Sequence, residues 1–141
     1  MVDRALILRK LAELETYLQQ IREYEQITVD EYQSDWKTQR IIDRTLQLMI
    51  ELCMDIANHI ISDKQLPVPT SYANAFEILQ QAGLISRQLM EITANMAKFR
   101  NILVHQYADV NATTVVSILH SHLDDFILFR DEIVELARRL G

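Results

Sequence analysis

The sequence predicts an all-α fold, an up-and-down bundle of four long helices and one short helix. Three observations carry that prediction. The 141 residues contain only two Gly and two Pro, too few turn formers for a β-sandwich or barrel of this size. Apolar residues recur at three- and four-residue steps along most of the chain. The breaks between such stretches are few and short, so neighbouring helices run antiparallel. The length fits one domain, residues 1–141, with one sizeable core.

The first helix is predicted from about Val2 to Gln26, with Leu6, Leu8, Leu11, Leu14, Leu18 and Ile21 as its apolar stripe. Thr28 or Asp30 caps the second, and Asp30 and Glu31 favour its positive end. This helix runs to about Ser62, with a kink or short break expected before Arg40. Residues 63–70, which hold Pro67 and Pro69, are the obvious loop by composition. Ser71 caps a short helix, Tyr72 to Ala82, and Gly83 stops it. Ser86 caps a fourth helix to about His105. Asn111 or Asp109 caps a fifth, from about Ala112 to Arg139; Arg138 and Arg139 sit at its negative end and Gly141 ends the chain.

Lys and Arg number 14 against 20 Asp and Glu, a formal charge of −6. That balance argues against a protein that coats nucleic acid non-specifically. It leaves room for a local basic cleft drawn from Lys37, Arg40, Arg44, Arg87, Lys98 and Arg100. A single cysteine, Cys53, rules out an internal disulfide and a Cys/His zinc framework, and its apolar setting reads as a small core hydrophobe. The early charges Asp3 and Arg4 and the lack of a long apolar run leave no signal-peptide core and no membrane span. A soluble cytoplasmic protein is expected.

The second helix carries a polar stripe, Arg40, Arg44, Gln47, Glu51, Asp55 and Asn58, at steps of three and four. It reads either as a solvated face with helical ion pairs or as the border of a cleft or subunit interface. The rest of the helix, Ile42, Leu46, Met49, Ile50, Leu52, Cys53, Ile56, Ala57 and Ile60, forms an apolar arc wider than one partner helix needs. That width points to a second surface buried in an oligomer. His120 and His122 lie too far apart around one helix to share a metal and read as surface or interface residues. His59 is placed to face a negative helix end.

The richest segment is Lys98-Phe99-Arg100-Asn101-Ile102-Leu103-Val104-His105-Gln106-Tyr107. Asn101 and His105, four apart, share a face. Arg100 and His105 are five apart, and converge only if the helix loosens or through the reach of arginine. The plain alternative is a solvated arginine and a histidine cap. The chemistry open to such a set is ribonucleotide cleavage without a metal. An imidazole takes the proton of a ribose 2′-OH or gives one to the leaving 5′-oxygen. A guanidinium forks onto the phosphate and stabilises its growing charge, and an amide orients either partner. One copy offers one motif histidine, so two copies facing each other supply both acid and base.

Arg100, His105 and Tyr107, as R-x4-H-x-Y, resemble the signature of the HepT toxins of the HEPN superfamily. The second helix, from Asp43-Arg44-Thr45-Leu46-Gln47 through Asp55-Ile56-Ala57-Asn58-His59, and Ala75-Phe76-Glu77-Ile78-Leu79 are similar to that family as well, so the resemblance covers nearly the whole chain. It implies a homodimeric, metal-independent endoribonuclease with no cofactor, the toxin of a type II toxin–antitoxin pair. Arg100 and His105 would be catalytic, with Asn101, Arg44 and Asp55 in support. The implied partner is a minimal nucleotidyltransferase, MntA, that neutralises the toxin by transferring AMP to Tyr107. The implied substrate is messenger or transfer RNA. A different class of function also fits the residues: a non-catalytic helical module that binds a nucleotide or a protein partner.

Overall fold

The structure is a computed structural model that describes residues 2–140. Among them the regular elements are all helical: α1 (Arg4–Ile21), α2 (Val29–Ser34), α3 (Trp36–Asp63), α4 (Tyr72–Gln81), α5 (Arg87–His105), α6 (Ala112–Ser121) and α7 (Asp124–Leu140), with 3₁₀ turns at Arg22–Tyr24 and Tyr107–Asp109. Gly141, expected as the final stop, lies outside the described residues.

The 28-residue α3 is the axis of the bundle; α1, α4 and α5 pack on it, and α7 packs on α1 and α5. Polar links fix the directions. Lys10 meets Asp55 at 3.6 Å, and the Asp3 backbone N–H donates to His59 Nε2 at 3.2 Å, so α1 runs antiparallel to α3. Arg130 with Glu15 and Arg22 with Asp124, each at 2.8 Å, set α7 antiparallel to α1. His59 therefore anchors the N-cap residue of α1 rather than facing a negative helix end.

Local chemistry explains the boundaries. Thr28 and Glu31 form a reciprocal capping box, and Ser71, Ser86 and Asn111 each accept a backbone N–H of their own first turn. Gly83, at φ +74°, closes α4: its N–H reaches the Gln80 carbonyl and the Leu84 N–H the Leu79 carbonyl. Gln65, at φ +54°, does the same for α3 with Ser62 and Ile61.

One expectation is borne out and two need correcting. The break before Arg40 is real and lies at Asp35, which caps α3 and separates it from α2. The fifth helix is not continuous: it divides into α6 and α7 around His122 and Leu123, with no Gly or Pro to mark the place. α6 packs on α2 while α7 packs on α1 and α5, and one straight helix does not reach both. The stripe of α1 is centred on Ile7, Leu11, Leu14, Leu18 and Ile21, while Leu8 is exposed and Leu6 only half-buried.

The wide apolar arc of α3 is buried throughout by the chain's own helices. Ile42, Leu46, Met49, Ile56 and Ala57 are fully covered, so the width of the arc supplies no reason for an oligomer. Cys53 lies in this core, and burial pushes its thiol pKa up, as a structural cysteine requires.

Candidate functional site

Arg100 projects from α5 towards α3. Its Nε and Nη2 both approach Glu51 Oε2 at 2.9 Å, and Gln47 Nε2 donates to the same oxygen at 3.0 Å. Nη1 turns to Asn101 Oδ1 at 3.3 Å, and the guanidinium lies 5.5 Å from the centroid of the Tyr72 ring on α4. A guanidinium carries five N–H donors. This arrangement leaves one on Nη1 and one on Nη2, the spacing that forks onto a phosphate. Both side chains of the pair are mostly covered, Arg100 to 17% exposure and Glu51 to 26%. Burial alone raises a carboxyl pKa, but the hydrogen bonds from Gln47 and Arg100, with the charges of Arg100 and Arg44, leave Glu51 below its ordinary value.

His105 is the last residue of α5 and is exposed. The helix stays regular up to it. Gln106, at φ −133° and ψ 46°, then turns the chain into the 3₁₀ turn Tyr107–Asp109. Arg100 does not bend towards His105; Glu51 and Asn101 hold it. Asn101 and His105 are both exposed on α5, and Arg100 reaches the first of them.

Tyr107 is 47% exposed. Its hydroxyl faces the Asp43 carboxylate and the Arg40 guanidinium. Partial burial raises the phenol pKa, the Asp43 charge raises it further, and Arg40 opposes both. Asp43 is itself 5% exposed and accepts a 2.6 Å hydrogen bond from the Tyr32 hydroxyl of α2. Burial pushes the Asp43 carboxyl up, against the hydrogen bonds from Tyr32 and Tyr107. One buried carboxylate thus ties the loop after α5 to α2 and α3.

The structure gathers Arg100, Asn101, Arg44 and Tyr107 along one flank of α3, with His105 at its end. Asp55 is not among them: it pairs with Lys10 on the α1 side. Of the cations expected in a basic cleft, Lys37, Arg40, Arg44 and Arg100 follow this flank, while Arg87 pairs with Glu91 at the far end of α5. Glu51, Asp43, Tyr32 and Tyr72 belong to the site and were not singled out as site residues from sequence. Asp43 had a readable signal, a carboxylate in register with the apolar arc. Tyr72 had none, because only the packing of α4 brings it to Arg100. A separate apolar cavity of about 490 Å³ opens over Leu46, Ile50, Phe99 and Phe126, with none of these polar groups in its wall.

Residues 14–133 match the family described as ribonuclease HepT-like. The chain is 35% identical over 130 residues to the mRNA nuclease HepT of Shewanella oneidensis, covering 91% of this chain and 96% of that protein. It is 30% identical over 130 residues to the tRNA nuclease HepT of Aphanizomenon flos-aquae, covering 91% and 87%. Its fold matches a solved structure of the tri-AMPylated Shewanella oneidensis HEPN toxin in complex with MNT antitoxin, at a TM-score of 0.84 and 33% identity, over 96% of this chain and 99% of that one.

The Glu51–Arg100 pair makes a signed pH prediction. A carboxyl with a lowered folded pKa stabilises the fold fully above its ordinary value of 4.5 and loses that contribution as the pH falls through the folded value. Glu51→Gln should cost about 1–3 kcal/mol at neutral pH, by the scale of hydrogen bonds to charged groups. Urea unfolding at a series of pH values should show the gap from wild type closing in acid. A gap that stays constant would mean the charge on Glu51 contributes nothing.

Proposed function

The chain belongs to the HepT-like ribonuclease family, and on that premise we propose that it is the toxin of a type II toxin–antitoxin pair, a metal-independent endoribonuclease acting in the cytoplasm. The observation that carries the reading is the Arg100 guanidinium, held by Glu51 and Asn101 with one N–H on each terminal nitrogen left for a phosphate. The relatives are named nucleases of mRNA and of tRNA, so RNA is the substrate class.

In this reading Arg100 binds the scissile phosphate and stabilises the charge that grows on it. His105 is exposed at a helix end, where an imidazole exchanges protons with a substrate ribose. Cleavage needs one base and one acid. The base removes the 2′-OH proton, the 2′-oxygen bonds to phosphorus, and the bond to the 5′-oxygen breaks as the acid protonates it. One chain places one histidine here, so the site is completed by a second copy facing the first across a homodimer. Asn101 supports Arg100, and Arg44 adds positive charge beside Glu51.

The partner is a nucleotidyltransferase antitoxin of the kind found with the similar HEPN toxin. Tyr107 is its acceptor. The hydroxyl attacks the α-phosphorus of ATP, pyrophosphate leaves, and the phenol proton passes to a base. A phenol is protonated at neutral pH, so the antitoxin's active site supplies that base. The phosphodiester adds about one negative charge beside Arg40, where substrate phosphate would otherwise bind. The alternative, a non-catalytic module that binds a nucleotide or a protein, differs in one outcome: RNA would be bound and left uncut.

Three measurements test these statements. Light scattering at micromolar concentration should give twice the chain mass, and a monomer would remove the composite site. His105→Ala and Arg100→Ala should each lower the cutting of total RNA in EDTA by about 100-fold or more, by the scale of lost proton transfer and lost charge stabilisation. Circular dichroism should stay helical, and full activity in either variant would remove the site. After co-expression with the antitoxin, mass spectrometry should find AMP on the peptide with Tyr107 and none in Tyr107→Phe; increments on Tyr72 or Tyr32 would overturn the assignment.

A further inference from the structure

Trp36, the chain's single tryptophan, is the first residue of α3 and is 61% exposed. It belongs neither to the buried core nor to the hydrophobic residues packed against it. Two cations are gathered on its indole: Arg40 Cζ lies 5.2 Å from the ring centroid and Lys37 Nζ 5.7 Å. Such contacts are weak when exposed, so the fold gains little from leaving a large aromatic in water here.

Its neighbours give the position meaning. Arg40 reaches from the indole to the Tyr107 hydroxyl. Arg44 follows one turn on, and Arg100 lies beyond it on Glu51. An aromatic face, a line of cations and a phosphate-binding arginine thus share one flank of α3, within about 22 Å at 1.5 Å per residue. Proteins that hold single-stranded nucleic acid combine these parts: a cationic groove for the backbone and aromatic rings on which bases stack. The net charge of −6 makes the grouping more pointed, because the rest of the surface repels RNA.

We propose that Trp36, Lys37 and Arg40 form a nucleotide subsite for the RNA substrate, in which the indole stacks an unpaired base and Arg40 binds the neighbouring phosphate. The inference rests on the nuclease reading and adds a substrate class to it. A base inside a duplex has both faces stacked and offers none to the indole, so the substrate is single-stranded at this subsite. The subsite also adjoins Tyr107, so a nucleotide attached to that tyrosine competes for Arg40 and the indole. Modification would then displace substrate from its binding track as well as from the cleavage site.

The single tryptophan makes the test direct. In a full-length His105→Ala protein, which retains Arg100, a short labelled oligoadenylate should quench tryptophan fluorescence, with a Kd that matches the one from the label's anisotropy. Trp36→Ala in that background should weaken binding about 5- to 150-fold, the range for one stacked base, and Trp36→Phe should restore most of it. A duplex of the same sequence should not quench. Equal affinity in the Trp36→Ala protein, or equal quenching by the duplex, would overturn the subsite. Quenching by the nucleotidyltransferase partner and not by RNA would overturn it too, and would make the indole a protein contact. The nuclease reading fails separately, if wild-type protein does not cut RNA; normal cutting by Trp36→Ala removes the subsite alone.

Discussion

The contact between Arg100 and Glu51 fixes how two helices face each other and which way the site points. Glu51 Oε2 takes N–H groups from Arg100 and from Gln47, so the guanidinium is held along one edge. That leaves the opposite edge, with one N–H on each terminal nitrogen, unengaged by Glu51. The pair is also mostly covered, so its attraction is screened less than a surface ion pair would be. Removing either partner alone leaves a charge in a place that water reaches poorly. With Tyr107 facing Asp43 and Arg40, farther back along α3, this contact shows α5 running antiparallel to α3.

Charge is organised locally against an unfavourable total. The chain carries six more acidic than basic residues, yet Lys37, Arg40, Arg44 and Arg100 share a flank. Many of the acids are engaged elsewhere: Glu15 and Asp131 with Arg130, Asp124 with Arg22, Glu135 with Arg138. At physiological salt a charge is felt over about 8 Å. The potential along this flank is therefore set chiefly by the four cations on it. The acidic surroundings disfavour loose binding of polyanions elsewhere on the surface.

The turn after α5 leaves Tyr107 about half exposed and yet fixed against α3. Asp43 accounts for both. It is buried and bonded to Tyr32, so its position is set by the core, and it draws the Tyr107 hydroxyl against α3 while half of the ring stays in water. Partial burial and the Asp43 charge together raise the phenol pKa, against the opposing charge of Arg40.

The helical class, the caps at Thr28, Ser71, Ser86 and Asn111, and the Pro-rich loop were legible in the sequence, because each depends on residues within a few positions of one another. So was the R-x4-H-x-Y motif with its polar neighbours. The division between α6 and α7 was not, since no breaker marks it and two different packing partners impose it. The wide apolar arc of α3 looked like an intermolecular surface until α1, α4 and α5 covered it. Asp55 and Glu51 are one turn apart in the same polar stripe, yet one faces Lys10 and the other Arg100. Sequence by itself determined the helical class and the local structures, because capping and helical period are short-range properties. Only the tertiary structure decided which acid holds the arginine, which carboxylate faces the tyrosine and where the indole lies. Those pairings join residues as many as 64 positions apart, as from Asp43 to Tyr107, and nothing but the packing of whole helices brings them together.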